Sequence, residues 1–522
     1  MYQATKTCFN RFFLACTFAF FIVASIQAGE HDRFDALDRT VHISKNRGTI
    51  YELLKDISSQ SNLYFIYDSQ IIDNNKKVKV TKGKYSLRNA IYHITGNNNL
   101  QIDLSGEYIL LRSAEKQIPA KTEESSAAKD IHFTIGGRLL DRENGETVIF
   151  ASVSIHNTSI GTITNQEGEF QLVIPDTLSH HKVKVSHIGY KSLEIDISML
   201  KESFVDIEMS PQIVSLNEIV VNYISPELAL NDMLNNRSAN YATEPVHLTT
   251  FYREGIDHNN LNTNLTESVL QIYKTGHKKN ASNDQVKLIK KRRVDNRINT
   301  DTILPRMRSG INSCLILDII KELPEFLTPD KATQYIYSYK GKSMIDNRIV
   351  NIISFQQKAH IREPLYMGEL FIEAENKALV EVRFEINPRF AKEATNMFVD
   401  RKAAGLRINL QQARYIVSYK PSGDGLYYIN HVRGDIQFKV RRKKQLFNSP
   451  LNFWFEMVTC KVDTENTTPI PQKERLSTTR VFSETKHEYD KKFWENFNII
   501  LPEEKLQENI IKNINDILVT EE

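Results

Sequence analysis

A chain of 522 residues is too long for one hydrophobic core, since domains commonly run to about 100–200 residues. With 41% hydrophobic and 25% charged residues, it has the make-up of a globular protein. A net charge of only +3 gives no electrostatic reason to expect nucleic acid as a partner.

Lys6 and Arg11 precede an apolar run over residues 12–23, which gives way to Ala28 and then Gly29-Glu30. A basic start, a short apolar stretch and a small residue before a polar sequence describe a secretory signal peptide, residues 1–28. The run is too short for a membrane span, and a lipid-modified Cys16 would have only a few apolar residues ahead of it. Without Lys6 and Arg11, the 67 basic side chains become 65 against 64 acidic ones. Basic runs at residues 287–293 and 441–444 read as solvated strand ends or loops. Cys314 falls on a predicted helix and Cys460 on a predicted strand, and two buried thiols are expected rather than a bridge.

Residues 39–112 use one pattern twice. Ile50, Leu53, Leu54 and Ile57 recur at helical spacing, as do Leu87, Ala90, Ile91 and Ile94, so each predicted helix has one apolar stripe. Thr49 and Glu52 form a capping box, and Ser86 caps the second helix. Strands over residues 41–43, 63–67, 78–81 and 100–104 flank the helices as two β-α-β halves, and residues 108–111 close the unit. In order and register, down to Gly106 and Tyr108 at its end, the segment resembles the STN domain, the short N-terminal domain of secretins and TonB-dependent receptors. That resemblance implies a periplasmic protein-contact module, which in signalling receptors engages an inner-membrane regulator.

Residues 113–130 contain no aromatic residue and one large aliphatic, and so read as a flexible linker. Short alternating segments follow, over residues 133–140, 152–155, 162–164, 169–174, 182–186, 193–197 and 204–209. They predict a seven-strand β-sandwich over residues 131–210. Asn144-Gly145 supplies a tight turn, and Gly161, Gly168 and Gly189 sit where a turn needs positive φ or backbones come close. Gly161-Thr162 with Thr164, Gly168 with Phe170, and Ile188-Gly189-Tyr190 resemble the carboxypeptidase regulatory-like domain, a transthyretin-like sandwich. The resemblance implies no catalytic residues of the domain's own. In nutrient-uptake outer-membrane transporters this domain stands ahead of the plug, and residues 215–221 resemble the segment leading into it. No plug pattern follows Asn222, and the remaining length cannot hold a plug and a large barrel.

Residues 225–522 form the largest predicted part. Ser225-Pro226 opens a helix, with Leu230, Met233 and Leu234 on one face. Strands are predicted over residues 246–254, 265–274, 286–294, 333–339, 349–357, 367–374, 378–386, 414–420, 427–440 and 451–462. Glu375-Asn376 and the turn from Ser422 to Gly425 join two hairpins. A helix near residues 311–323 interrupts the strands, and an amphipathic helix over residues 503–518 ends the chain. A membrane barrel needs a continuous apolar outer face, whereas residues 286–294 carry five cations. The fold class is therefore multi-domain and mainly β with α+β parts: the β-α-β repeat module, the sandwich, and a large antiparallel curved sheet with flanking helices. Residues 240–254, 368–373 and 493–498 resemble uncharacterised envelope proteins that pair this body with the sandwich. The strand pattern is also similar to lipoprotein-carrier half-barrels.

His360 and Glu363 have a spacing that can place two ligands on one zinc, with His431 or His487 as a third. With 14 histidines in the chain, about one such pair is expected by chance, and neither third candidate has a recognisable context. No nucleophile-elbow, Walker or dinucleotide-binding motif occurs. Asp141, Glu143 and Glu146 read as an exposed acidic turn rather than a Ca²⁺ loop. Tyr335, Tyr337 and Tyr339, with Phe493, Trp494 and Phe497, read as core or interface packing rather than sugar stacking. No catalytic, cofactor-binding or metal residue is assigned. The sequence thus describes a non-enzymatic periplasmic binding, scaffolding or signalling-contact protein at the outer membrane, with an envelope protein partner on residues 39–112. Two alternatives stand beside it: a lipid or glycan carrier using the concave side of the C-terminal sheet, and a zinc peptidase centred on His360 and Glu363.

Overall fold

The computed structural model describes residues 36–501 apart from gaps, the longest at 114–131, 213–223, 296–305 and 483–492. The expected signal peptide, residues 215–221, His487 and terminal helix lie outside the described residues, as does the expected linker apart from Ser113, which ends a strand. The chain forms two compact units: Met1–Ser126 with Phe204–Glu208, and Ala127–Ser203 with Met209–Glu522. Among the described residues no helix is long and apolar enough to cross a membrane.

In the first unit the two helices form over Ile50–Ser61 and Leu87–Thr95, and bury the stripes that define them. The Thr49–Glu52 capping box is present, and the Ser86 hydroxyl accepts from the Asn89 N–H. Strand pairing departs from two simple β-α-β halves. Thr40–Ile43 pairs antiparallel with Gly83–Ser86, whereas Tyr64–Asp68 runs parallel to Tyr108–Ser113, which pairs antiparallel with Leu100–Ser105. Alternation in a strand marks its buried face but does not name its neighbour. Val205–Ile207, expected to belong to the sandwich alone, pair antiparallel with Ile66–Asp68 within this unit.

The second unit opens with the sandwich strands. Gly161–Ile163, Ser152–Ile155, Lys182–Ser186 and Leu193–Asp196 form one sheet in that order, and His132–Asp141 pairs with Glu169–Pro175. Gly168 adopts φ +73°, and a Cβ there would lie 2.7 Å from the Leu139 carbonyl oxygen, so the turn requires glycine.

Ten long strands follow as one antiparallel sheet: β1 Val246–His258, β2 Leu261–Lys274, β3 Gln285–Asp295, β4 Tyr335–Ile345, β5 Arg348–Gln357, β6 Tyr366–Glu373, β7 Leu379–Ile386, β8 Leu406–Pro421, β9 Tyr427–Arg442 and β10 Ser449–Asp463. Their spatial order is β3-β2-β1-β10-β9-β8-β7-β6-β5-β4. Each expected strand is present, several of them longer than its apolar alternation suggested. The helix expected to Leu323 stops at Ile316 and gives way to tighter turns, in which the Asp318 N–H bonds the Leu315 carbonyl and the Asp318 carboxylate meets Lys274 at 2.7 Å and the Tyr419 hydroxyl at 2.9 Å.

One face of the sheet, the inner one, carries the main core. Phe326, from a 3-10 turn, stacks on Phe355 at 4.1 Å and meets Tyr335, Tyr366 and Phe384 edge-on or tilted. Pro226–Asn235 and Gly310–Ile316 add Leu230, Met233, Ile311 and Cys314 to the same cluster. Cys314 and Cys460 are both buried and free. Tyr335 and Tyr337 are packing residues, as their spacing predicts, and the Tyr337 hydroxyl donates to the Phe326 carbonyl.

Candidate functional site

The opposite, outer face of the sheet has a different chemistry. Direct cross-strand partners point to one face of a sheet. Following the register from β3 to β6 gives Arg292, Glu267, Arg253, Glu456, Arg433, Ile416, Arg383 and Glu369 in one row. Charge alternates along that row except at Ile416. The neighbouring row runs Met367, Glu385, Arg414, Asp435, Trp454 and Gly255.

The middle of the first row is fully buried. Arg253 and Glu456 are both 0% exposed, and the guanidinium meets the carboxylate through Nε at 2.8 Å and Nη2 at 2.7 Å. Arg433 reaches the same carboxylate at 3.4 Å, and His431 Nε2 lies 2.8 Å from its other oxygen. Burial alone would raise the Glu456 pKa, but Arg253, Arg433 and the His431 hydrogen bond outweigh it and hold the carboxyl far below its usual range. Arg433 also grips Asp435 through two 2.9 Å bonds. The Trp454 indole lies 5.4 Å from the Arg253 guanidinium and 5.6 Å from that of Arg433. Gly255 makes room for that ring, since a Cβ there would sit 2.5 Å from the indole.

The sandwich covers this face. Ile163 joins Phe251, Val269, Val458, Cys460, Trp494 and Ile500 in an apolar cluster. The Thr162 hydroxyl donates to the Ile499 carbonyl, the Asn165 amide to the Leu501 carbonyl, and the Val173 N–H to the Asn498 side chain. Cys460 Sγ lies 3.4 Å from the Asn498 carbonyl. Segment 498–501 is therefore fastened to both sandwich and sheet. Trp494 and the stacked Phe493–Phe497 pair are interface packing, as expected. A second seam joins the Asp346-Asn347 turn to the sandwich, where Asp346 takes Lys184 at 3.0 Å and the Ser192 hydroxyl at 2.7 Å.

Beside the covered part lies a cleft of about 630 Å³. Ile149, Phe150 and Gln166 of the sandwich form one wall, and Met367, Arg383, Glu385, Arg414, Ile416, Arg433 and Asp435 of the sheet form the other. Phe150 adopts φ +57°, which a bulky side chain rarely does, and its ring lies 5.1 Å from His431 and 5.3 Å from the Arg433 guanidinium. Arg383 bonds Glu381, and Glu385 accepts from Gln412 at 2.7 Å. Arg414 is exposed and has no hydrogen bond or ion pair among the described residues.

The zinc-spaced pair lies elsewhere. His360 and Glu363 are exposed in the loop between β5 and β6, and His431 is committed to Glu456 on the buried face. Among the described residues no group of three or more His, Cys, Asp or Glu could hold a metal ion. Asp141 spends its carboxylate on the N–H groups of Glu143 and Asn144 and on the Tyr190 hydroxyl, so it shapes the turn and anchors the His187–Tyr190 loop. A further buried ionic group is closed on itself. Lys274 bonds Asp284 at 3.3 Å as well as Asp318, and Lys321 pairs with Asp284 and donates to the Thr275 carbonyl at 2.8 Å.

Nothing at single-motif scale announced the cleft. Its one trace in the sequence is charge at alternate positions of separate strands, Arg433 with Asp435 on β9 and Arg383 with Glu385 on β7. Only the register aligns those positions across the sheet. Among known proteins, no curated protein matches the chain. A DUF1329 family protein from Desulfovibrio piger ATCC 29098 covers 47% of this chain and 96% of its own at 8% identity, with a TM-score of 0.20. A putative outer membrane lipoprotein-sorting protein domain from Vibrio parahaemolyticus covers 47% and 95% at 10% identity, with a TM-score of 0.21. Residues 135–221, which include most of the sandwich strands over the charged face, match the family model of the CarboxypepD_reg-like domain.

Proposed function

We propose that the chain is a non-enzymatic binding protein of a Gram-negative-type cell envelope, and that the cleft beside β7, β8 and β9 is its ligand site. The observation that carries this reading is the cleft of about 630 Å³, which has the size of a small-molecule site and joins apolar walls to convergent charges. Arg433 is already held by Asp435 and Glu456, and Arg383 by Glu381. Arg414 is then the cation left for a ligand, with Ile149, Phe150 and Met367 nearby. A carboxylate attached to an apolar or aromatic group, as at the end of a peptide, matches that chemistry.

In this reading residues 1–28 direct export to the periplasm, residues 39–112 supply the contact with an envelope protein, and the protein works at the outer membrane. A carried lipid or glycan is assigned to the outer-face cleft rather than the inner face, where Phe326 and its aromatic neighbours already pack. Thermal melts of the full chain with N-acetyl-tryptophan, a carboxylate beside an apolar ring, test the site. Saturable stabilisation that disappears in Arg414→Glu is expected, and unchanged melting at millimolar probe would refute it. Stoichiometric zinc in the purified protein, lost in Glu363→Ala, would overturn the non-enzymatic part.

A further inference from the structure

We propose that the tip of the β9–β10 hairpin is a membrane-contact device for the surface of an anionic phospholipid bilayer. β9 and β10 are 16 and 15 residues long, and their connection carries two adjacent large apolar side chains in open solvent. Leu446 is 85% exposed and Phe447 83%, whereas every other exposed large apolar side chain among the described residues is at 60% or less. Side chains this open gain nothing when the chain folds, because they remain as wet as in the unfolded state. Hairpin tips ordinarily use Gly, Asn or Asp for their turn geometry. Consecutive Leu and Phe need another reason.

The charge beside them supplies one. Arg441 and Arg442 end β9 and Lys443 follows, Arg407 lies directly across from Arg441, and no acidic residue occurs between Lys439 and Pro450. The Lys443 N–H bonds the Gly405 carbonyl at 2.9 Å, which ties the base of the tip to the sheet. A point with an apolar end and a cationic collar fits a bilayer surface. The apolar pair enters the boundary between headgroups and acyl chains, while the guanidinium and ammonium groups reach the phosphates. Asp435 in the cleft is seven residues back from Arg442 along β9, which places the cleft about 23 Å from the tip's base.

Co-sedimentation of the full chain with vesicles of phosphatidylcholine, alone or with a third of phosphatidylglycerol, tests the proposal. Binding only to the anionic vesicles, weakening as salt rises, is expected. Leu446→Ser with Phe447→Ser should lower partitioning at least tenfold, and each of Arg441→Gln and Arg442→Gln about fivefold. Because the tip side chains are exposed, the serine variant should melt as the wild type does. If it does not, Phe447→Trp decides, since its emission should shift to the blue with anionic vesicles alone. No sedimentation with anionic vesicles, or equal sedimentation of the serine variant, overturns the proposal. So does self-association that the serine variant abolishes without any vesicle binding, which would assign the tip to a second copy of the chain.

Discussion

The two faces of the ten-stranded sheet are built by opposite means. The inner face is closed by aromatic rings, with Phe326 stacked on Phe355 and ringed by Tyr335, Tyr366 and Phe384. The outer face is closed by a charge ladder centred on Arg253, Glu456 and Arg433 under a separate sandwich. Apolar packing is non-directional and indifferent to pH, so the inner face can hold the body together under any condition that keeps water out. A buried ion pair depends on every partner being present and charged. The sandwich therefore covers a surface that has been made particular, and the cleft opens where that cover ends.

Removing the centre of each face should separate the two modes. Phe326→Ala deletes a ring in a packed cluster and should cost about 3–5 kcal/mol, much the same at pH 7 and pH 4. Glu456→Gln takes the bonded carboxylate from buried Arg253, leaves Arg433 with Asp435 alone, and should cost about 3–5 kcal/mol at neutral pH. Its pH dependence has a fixed sign. The Glu456 pKa is held down in the folded state, so its contribution is complete above the unfolded carboxyl pKa of about 4.3 and is lost as pH falls below it. Urea melts of both variants across pH 3–7 check this. If Glu456→Gln lost stability equally at every pH, the ladder would not be ionic in the folded protein.

The same contrast explains what could be read from sequence. Ten strands were legible because alternation with period two, as in Leu379–Ile386, records two faces on one strand. What covers the polar face was not legible. Arg253, Glu267 and Glu456 look like a solvated face along the chain, yet all three are 0% exposed. Only the cross-strand register, which no local pattern states, puts Arg253 against Glu456 and Arg433 against the same carboxylate. Likewise Gly161 and Gly168 were readable as positions where the sandwich turns or its backbones come close, whereas the grip of Thr162 and Asn165 on residues 499 and 501 spans over 330 positions. The partners of the Asp318 carboxylate, Lys274 and Tyr419, were illegible for the same reason, since both lie far from it in sequence.

A smaller effect lies at the second seam between sandwich and sheet. Lys420 donates to the Ser152 hydroxyl at 3.1 Å, and burial, with Lys184 adding to it against Asp346, lowers its pKa to about 8. A lysine with a depressed folded pKa carries its full penalty below about 8 and sheds it as pH rises towards 10.5. Lys420→Met should therefore stabilise the protein at pH 7 by roughly 1–2 kcal/mol, after allowance for screening, and should remove the gain otherwise seen between pH 8 and 10. Differential scanning calorimetry at pH 7 and pH 9.5 reads both. A variant less stable than wild type at pH 7 would mean that the Ser152 bond outweighs the burial of charge.

The smallest effect tests how the cover itself is fastened. Asn498 accepts from the Val173 N–H through its side chain, while its own carbonyl lies by the Cys460 thiol. Asn498→Ala removes one of the polar clasps and leaves the apolar contacts of Trp494, Ile499 and Ile500 in place. The expected cost is about 1 kcal/mol, enough to loosen a local unit without unfolding the body. Hydrogen exchange should then quicken at Val173 and along residues 498–501, and remain slow on β5, β6 and β7, whose inner side chains pack around Phe326. Exchange that quickened equally on those strands would show that cover and core open together, and that the outer face has no separate stability to lose.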